Sequence, residues 1–281
     1  MTLLELLKEE DIQNIVYSTG IDFIDDTLEG GFELGQFVTV TGEQEAGKTQ
    51  IVNQILCNVA NGFKCLYFSL EFNKKQLKRY FKNKLQNKTV SERALNNIII
   101  ITNDMIDSEI TKIIQAVNHH IINDQVTFIA LDSTLMLYHQ SLTGEQETTD
   151  IFRQLHNVTL KNDVLMFVIT QGSKQDNKDN RVSIFGSQKA NHFANIMLHL
   201  TFDRDKDKRA LTFAKNKQTG TYKKIDIEFD KELLIFKQEN IIEYKNQTDT
   251  KKLEKLGIKI EDSSIDSKKI DKLATKGFKF E

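Results

Sequence analysis

The chain has 281 residues, with 38 lysines and arginines against 40 aspartates and glutamates, and so a formal net charge of −2. That balance excludes a uniformly basic nucleic-acid coat and an acidic disordered solvator, while 39% hydrophobic and 28% charged residues leave enough apolar material for one large domain, alone or with an appendage. Proline is absent and glycines number 13, which excludes collagen-like and proline-rich architectures and leaves glycine to make any tight loop.

Taken in chain order, residues 3–15 place Leu3, Leu4, Leu7, Ile12 and Ile15 on roughly one helical face, and residues 1–17 read as an N-terminal helix ahead of the Ser18-Thr19-Gly20 break. Short β-branched or aromatic runs then alternate with segments of helical period. Strands are predicted at 37–41, 65–69, 98–102, 128–132, 166–170, 196–202 and 211–214, and helices at 49–59, 74–85, 110–122 and 149–160. This alternation predicts an α/β fold with a mostly parallel central sheet and helices on both faces. The runs Phe128-Ile129-Ala130-Leu131 and Leu165-Met166-Phe167-Val168-Ile169 are continuously apolar, so they belong in the middle of the sheet. Runs at 225–229 and 233–236 predict an antiparallel or hairpin extension. The core thus spans 18–238, and residues 239–281, dominated by Lys, Asp, Glu and Ser, read as a charged tail, disordered or marginally helical.

Cys57 and Cys65 are the only cysteines and form no C-x-x-C, and no run reaches the roughly 18 uncharged apolar residues of a membrane span. Met1 is not followed by a charged stretch and a small-residue cleavage site. The expectation is a cytoplasmic protein with neither a disulfide framework nor a cysteine zinc site. His119 and His120 fall late in a predicted helix with no partner at metal-ligand spacing, so they are assigned a surface or core role.

The strongest local signal is Gly42-Glu43-Gln44-Glu45-Ala46-Gly47-Lys48-Thr49, a full G-x-x-x-x-G-K-T between a predicted strand and a predicted helix, the context a P-loop requires. Its backbone N–H groups turn inward around phosphates, the helix N-terminus adds its positive dipole end, Lys48 contributes a point charge and Thr49 offers a hydroxyl to Mg²⁺. The segment from Gly42 through Gln50 is therefore the candidate ATP-binding stretch. Glu43 and Glu45 must point their carboxylates away from an anion held there. Asp132 closes an apolar strand, which suits either a carboxylate linked to Mg²⁺ with Thr49 or an N-cap for the next helix, with Ser133 competing for the cap. Glu71, just past the 65–69 strand, reaches the same carboxyl edge of the sheet as Lys48 and Asp132. It is either the base that orients the attacking water or a solvated strand-end acid. Gln171, past the 166–170 strand, is either a γ-phosphate sensor or an ordinary polar strand end.

These residues resemble a known family. Ser18-Thr19-Gly20-Ile21-Asp22 and Gly30-Gly31-Phe32-Glu33-Leu34-Gly35 before the P-loop strand look like the lead into the core of RecA-fold ATPases. Phe68-Ser69-Leu70-Glu71-Phe72 with Gln76-Leu77 and Arg79, and Ala214-Lys215-Asn216-Lys217-Gln218-Thr219-Gly220, are similar to segments of DnaB-type replicative helicases. The resemblance covers residues 18–236. It implies that Glu71 is the catalytic glutamate, Asp132 the Mg²⁺-linked aspartate and Gln171 the sensor. It further implies that Lys215 and Lys217 reach a neighbouring subunit's nucleotide in a homo-oligomer, a hexameric ring or a filament. Lys217 stands where the family has arginine, a point charge in place of a bidentate fork. The family's N-terminal collar has no counterpart here beyond residues 3–15, a helix that either packs on a neighbouring subunit or covers its own core. In such proteins the loop after Gln171 contacts single-stranded DNA, so Lys174, Lys178, Arg181 and Lys189 are candidate phosphate contacts, and Phe185 either stacks on a base or tucks the loop onto the core. The implied function is an ATP-dependent helicase or translocase on single-stranded DNA, with replication or recombination proteins as partners. Two alternatives share the motifs: a recombinase or mediator of the RecA and RadA kind, and a KaiC-like regulatory ATPase whose partner is protein.

Overall fold

The structure, a computed structural model, describes residues 2–6, 15–172, 184 and 186–238. All of them belong to one compact unit, Met1–Gln238. Its elements run α1 (Leu3–Leu6), β1 (Val16–Tyr17), α2 (Asp22–Asp25), β2 (Phe32–Glu33), β3 (Phe37–Gly42), α3 (Lys48–Val59), β4 (Cys65–Ser69), α4 (Lys74–Gln86), α5 (Glu92–Asn96) and β5 (Ile98–Thr102). They continue with α6 (Ile110–Asp124), β6 (Phe128–Asp132), α7 (Gly144–Asn162), β7 (Leu165–Ile169), β8 (Ile196–Asp203), β9 (Lys208–Asn216), β10 (Lys224–Asp230) and β11 (Ile235–Gln238), with 3₁₀ turns at Asp26–Leu28, Thr134–Met136 and Lys189–His192.

Nine strands form one sheet in the order β11-β10-β9-β8-β3-β7-β6-β4-β5. The six from β8 to β5 are parallel, and β9, β10 and β11 extend the sheet antiparallel from β8. β6 and β7 lie in the interior of this order, as their unbroken apolar character requires. Alternation along each strand sorts its side chains into two cores. Phe128 and Ala130 join Val38, Val40, Tyr67 and Phe167 under α3, whereas Ile129 and Leu131 join Leu66, Phe68, Met166 and Val168 under α6 and α7. Both faces of such a strand are covered, which is why both must be apolar.

Several boundaries differ from the sequence expectation. β7 begins and ends one residue earlier than predicted. α7 starts at Gly144 because an acidic first turn of Glu145 and Glu147 favours the helix N-terminus without carrying any apolar period. α5, β1 and β2 are too short for periodicity to reveal; α5 is instead marked by its cap, Ser91, whose side chain accepts from Ala94 N–H. The N-terminal helix is described only over α1, where Leu3 and Leu4 are 72% and 63% exposed, and Ile15 lies outside any helix. The charged tail, together with Leu7 and Ile12, lies outside the described residues.

Candidate active site

The carboxyl ends of β3, β4, β6 and β7 meet at one edge of the sheet. Ser69 is opposite Asp132 and Val40 opposite Ile169, so the segments that continue from these strands, carrying Glu71 and Gln171, arrive beside the loop between β3 and α3. A cleft of about 460 Å³ opens there, lined by Gln44, Glu45, Gly47, Lys48, Thr49 and Gln50 on one side and by Glu71, Asp132 and Gln171 on the other.

The loop's backbone dictates its glycines. Gly42 has φ 146° and a Cβ there would fall 2.2 Å from the Leu200 carbonyl oxygen; Gly47 has φ 102° and a Cβ would fall 2.5 Å from Phe236 Cζ. No other residue type fits either position without displacing a neighbour. Glu45 also takes positive φ, at 65°. The carboxylates of the loop's two acidic residues have partners on and just after β8: Glu43 Oε2 accepts from Phe202 N–H (3.4 Å) and Glu45 Oε2 pairs with Arg204 (3.2 Å). Ala46 is buried among the first core.

Lys48 Nζ donates to the carbonyl oxygens of Gly42 (2.9 Å) and Glu43 (2.7 Å), which keeps the ammonium folded over the loop. Burial pushes its pKa down, opposed by the carboxylates of Glu71, Asp132 and Glu43. Asp132 is 2% exposed. Burial pushes its pKa up to about 6 and the charge of Glu71 adds to the rise, while the hydroxyls of Thr49 and Tyr67 and the Lys48 ammonium pull it back. Tyr67 donates to Asp132 Oδ2 at 3.3 Å, but buried Oδ1 accepts no hydrogen bond from a described residue. An unmet carboxylate oxygen beside a threonine hydroxyl is a fitting place for a hard divalent cation such as Mg²⁺. Ser133, joined to Asp132 by a cis peptide bond, donates its hydroxyl to Glu71 Oε1. Asp132 caps no helix: the 3₁₀ turn Thr134–Met136 begins after Ser133, which makes no side-chain cap.

Other candidates fall elsewhere. Lys215 and Lys217 stand at the opposite end of the sheet, where Met197 pairs with Lys215 and Lys217 N–H donates to Asn195 O. Lys215 Nζ donates to the carbonyls of Asn191 (2.7 Å) and His192 (3.3 Å), and burial pushes its pKa down to about 8, with Lys217 adding to the fall. This chain therefore does not bring either lysine to its own cleft. Lys189 begins the Lys189–His192 turn, while Lys174, Lys178, Arg181 and Phe185 lie outside the described residues. His119 and His120, expected to have no partner at metal-ligand spacing, do have one: Asp124 stands one turn on from His120, 2.7 Å from its Nδ1, and the ligand atoms of all three lie within 4.8 Å of one another.

The cleft also has an end that the motifs do not announce. Arg209, Phe229 and Phe236 line it. The Arg209 guanidinium lies 3.7 Å from the centre of the Phe202 ring, and the Phe229 and Phe236 rings are 4.9 Å apart. Gln54 of α3 fixes this wall by accepting from Phe236 N–H (2.7 Å) and donating to its carbonyl (3.2 Å). These residues carry no local signature; β11 stands four strands from β3 in the sheet, and its packing against α3, through Gln54 and Gly47, brings Phe236 beside the phosphate loop.

Residues 17–230 match the protein family described as "ATPase: KaiC". The DNA repair protein RadA of Aquifex aeolicus (strain VF5) is 25% identical over 208 residues, which make up 73% of this chain and 42% of that protein. The chain thus spans about two fifths of the length of that curated relative. Among solved structures, a KaiC-like protein from Pyrococcus horikoshii OT3 aligns with TM-score 0.63 and 17% identity over 80% of this chain and 99% of the other. A DnaB-like replicative helicase aligns with TM-score 0.66 and 18% identity over 84% of this chain and 65% of the other. At these identities the likeness is one of fold, and that fold is the RecA-like ATPase core.

Proposed function

The chain belongs to the KaiC family of ATPases, and from that premise we propose that it is an ATP hydrolase driven by single-stranded DNA, a compact helicase or translocase working as a homo-oligomer. The observation that carries this reading is the convergence of Lys48, Thr49, Asp132, Glu71 and Gln171 on one cleft. The relative named as a DNA repair protein supports the choice of DNA.

The loop from Gly42 to Gln50 holds the triphosphate, and Lys48 exchanges its two loop carbonyls for phosphate oxygens. Thr49 and the open Oδ1 of Asp132 would hold Mg²⁺, which when bound would supply charge neutralisation to the triphosphate. Glu71 orients the attacking water and accepts its proton, with the Ser133 hydroxyl fixing one oxygen of that carboxylate. Arg209 and Phe229 face the nucleoside end, where a guanidinium and aromatic rings suit a planar base. Gln171 reports loss of the γ-phosphate to the loop beyond it. Lys215 and Lys217 act on a neighbouring subunit's nucleotide, since both lie far from their own, and Lys189 with Lys174, Lys178 and Arg181 contacts the strand.

Two observations favour a second reading, a slow regulatory ATPase with a protein partner: Lys215 is already held by two carbonyls and Lys217 lacks the arginine fork. Steady-state ATP hydrolysis with and without single-stranded DNA, at two salt concentrations and beside Lys48→Ala, separates them. DNA stimulation that weakens with salt, and a loss of at least about 100-fold in Lys48→Ala, are expected. Hydrolysis indifferent to DNA overturns the motor in favour of the regulatory reading, and full activity in Lys48→Ala overturns the site.

A further inference from the structure

α4 concentrates positive charge to a degree the rest of the chain does not. The chain as a whole carries −2, yet residues 72–91 contain no acid and seven cations. Their placement is periodic. Leu77, Phe81 and Lys84 are buried, so that Leu77 and Phe81 pin the helix to the first core and the Lys84 ammonium donates to Leu234 O (2.9 Å). Lys74, Lys75, Lys78, Arg79 and Lys82 are all exposed. At about 1.5 Å rise per residue these five form a stripe roughly 12 Å long on the solvent face.

Nothing in the helix's own stability asks for that stripe. Lys74 and Lys75 occupy the first turn, where the helix dipole disfavours cations. Like charges stand four apart at 74 and 78, 75 and 79, and 78 and 82, each a repulsive spacing. Lys74 is relieved by Asp104 at 2.8 Å, but Lys75, Lys78, Arg79 and Lys82 form no ion pair with a described residue. A local rule broken repeatedly on an exposed face, in a helix whose start is otherwise secured by a reciprocal Asn73–Gln76 capping box, marks a surface kept for an anionic partner.

We propose that the solvent face of α4 is a polynucleotide-binding surface on which Lys75, Lys78, Arg79 and Lys82 contact the phosphate backbone, separate from the loop after Gln171; the inference rests on the polynucleotide-dependent reading of the ATPase. A bilayer fits less well, because an interfacial helix must insert an apolar face and here Leu77 and Phe81 are committed to the core. The position also gives the contact a consequence. α4 begins three residues after Glu71, and Phe72 between them packs on the first core and lines the cleft, so a strand drawn along α4 acts directly on the segment that carries the proposed base.

The test is fluorescence anisotropy of labelled single-stranded and duplex oligonucleotides, titrated at several KCl concentrations, with the full chain and a variant carrying Lys75→Gln, Lys78→Gln, Arg79→Gln and Lys82→Gln. Glutamine is a good helix former, so the fold is retained, and hydrolysis without DNA should be unchanged. Four lost phosphate contacts should lower the slope of log affinity against log salt by about 3 and weaken binding at least about tenfold near 0.1 M salt, while the matching variant with Lys75→Arg, Lys78→Arg and Lys82→Arg binds as wild type. Wild-type binding with an unchanged slope in the glutamine variant overturns the inference but leaves the DNA-driven motor standing, with its contacts elsewhere. No binding of either oligonucleotide by wild type overturns the motor reading and the inference with it. Two other results also overturn it: wild-type binding to phosphatidylserine vesicles in place of oligonucleotides, or a glutamine variant that changes sedimentation but not DNA affinity, which would make the stripe a contact between copies of the chain.

Discussion

Asp132→Asn should stabilise the nucleotide-free protein in a pH-dependent way while abolishing hydrolysis. In the folded chain burial raises the Asp132 pKa from 3.8 to about 6, so between those values the folded state binds more protons than the unfolded one. Ionisation then opposes folding: the penalty is absent below the unfolded pKa and fully present above the folded one. The gap corresponds to about 3 kcal/mol, of which about 2 kcal/mol accrues between about pH 4.5 and about pH 8. Because the side chain is 2% exposed, solvent screening does little to reduce this. Asparagine keeps an acceptor for the Tyr67 hydroxyl but cannot ionise, and any fixed cost of its amide is the same at every pH. Urea unfolding of both proteins in EDTA, at about pH 4.5 and about pH 8, reads the term directly: the stability of the variant relative to wild type should rise by about 2 kcal/mol over that interval. A difference that stays constant with pH would refute the claim that Asp132 is a buried carboxylate with one oxygen unmet, and with it the idea that Oδ1 awaits a cation.

Gly47→Ala should cost roughly 2–4 kcal/mol, combining a left-handed backbone with a Cβ pressed against Phe236. Gly62→Ala, where nothing lies within 4 Å of the new methyl, should change stability by less than about 0.5 kcal/mol, and equal effects in urea titrations would sink the steric account. Tyr67→Phe removes only the hydroxyl that steadies Asp132 Oδ2, a contact worth about 1 kcal/mol at this length. Titration with Mn²⁺ followed by electron paramagnetic resonance should show about fivefold weaker metal binding, with unchanged affinity for a fluorescent nucleotide in EDTA; unaltered Mn²⁺ binding would remove Tyr67 from the site.

What the sequence makes legible is what is local. The P-loop announces itself because its glycines, lysine and threonine are consecutive, and the parallel strands do so because burial on both faces leaves no polar alternation to confuse the reading. Asp132 and Glu71 are found because one closes such a run and the other stands just beyond one. The Arg209–Phe229–Phe236 wall is not legible, since each residue is an ordinary strand position until β9, β10 and β11 extend the sheet past β8 and Gln54 clasps Phe236. The same distance in sequence hides the meaning of Gly47. The motif says that glycine belongs there, but the reason includes the phenyl ring of Phe236, far along the chain, which leaves no room for a methyl group. Tyr67 is hidden differently: its place in an apolar strand is correctly read as core, and only the register of β4 against β6 turns its hydroxyl onto Asp132. The phosphate loop is thus written in one stretch of chain, whereas the far wall of the cleft and the tuning of its carboxylate depend on how distant strands are laid side by side. Substitutions in β10 or β11 should therefore disturb nucleotide binding with no change in any motif residue.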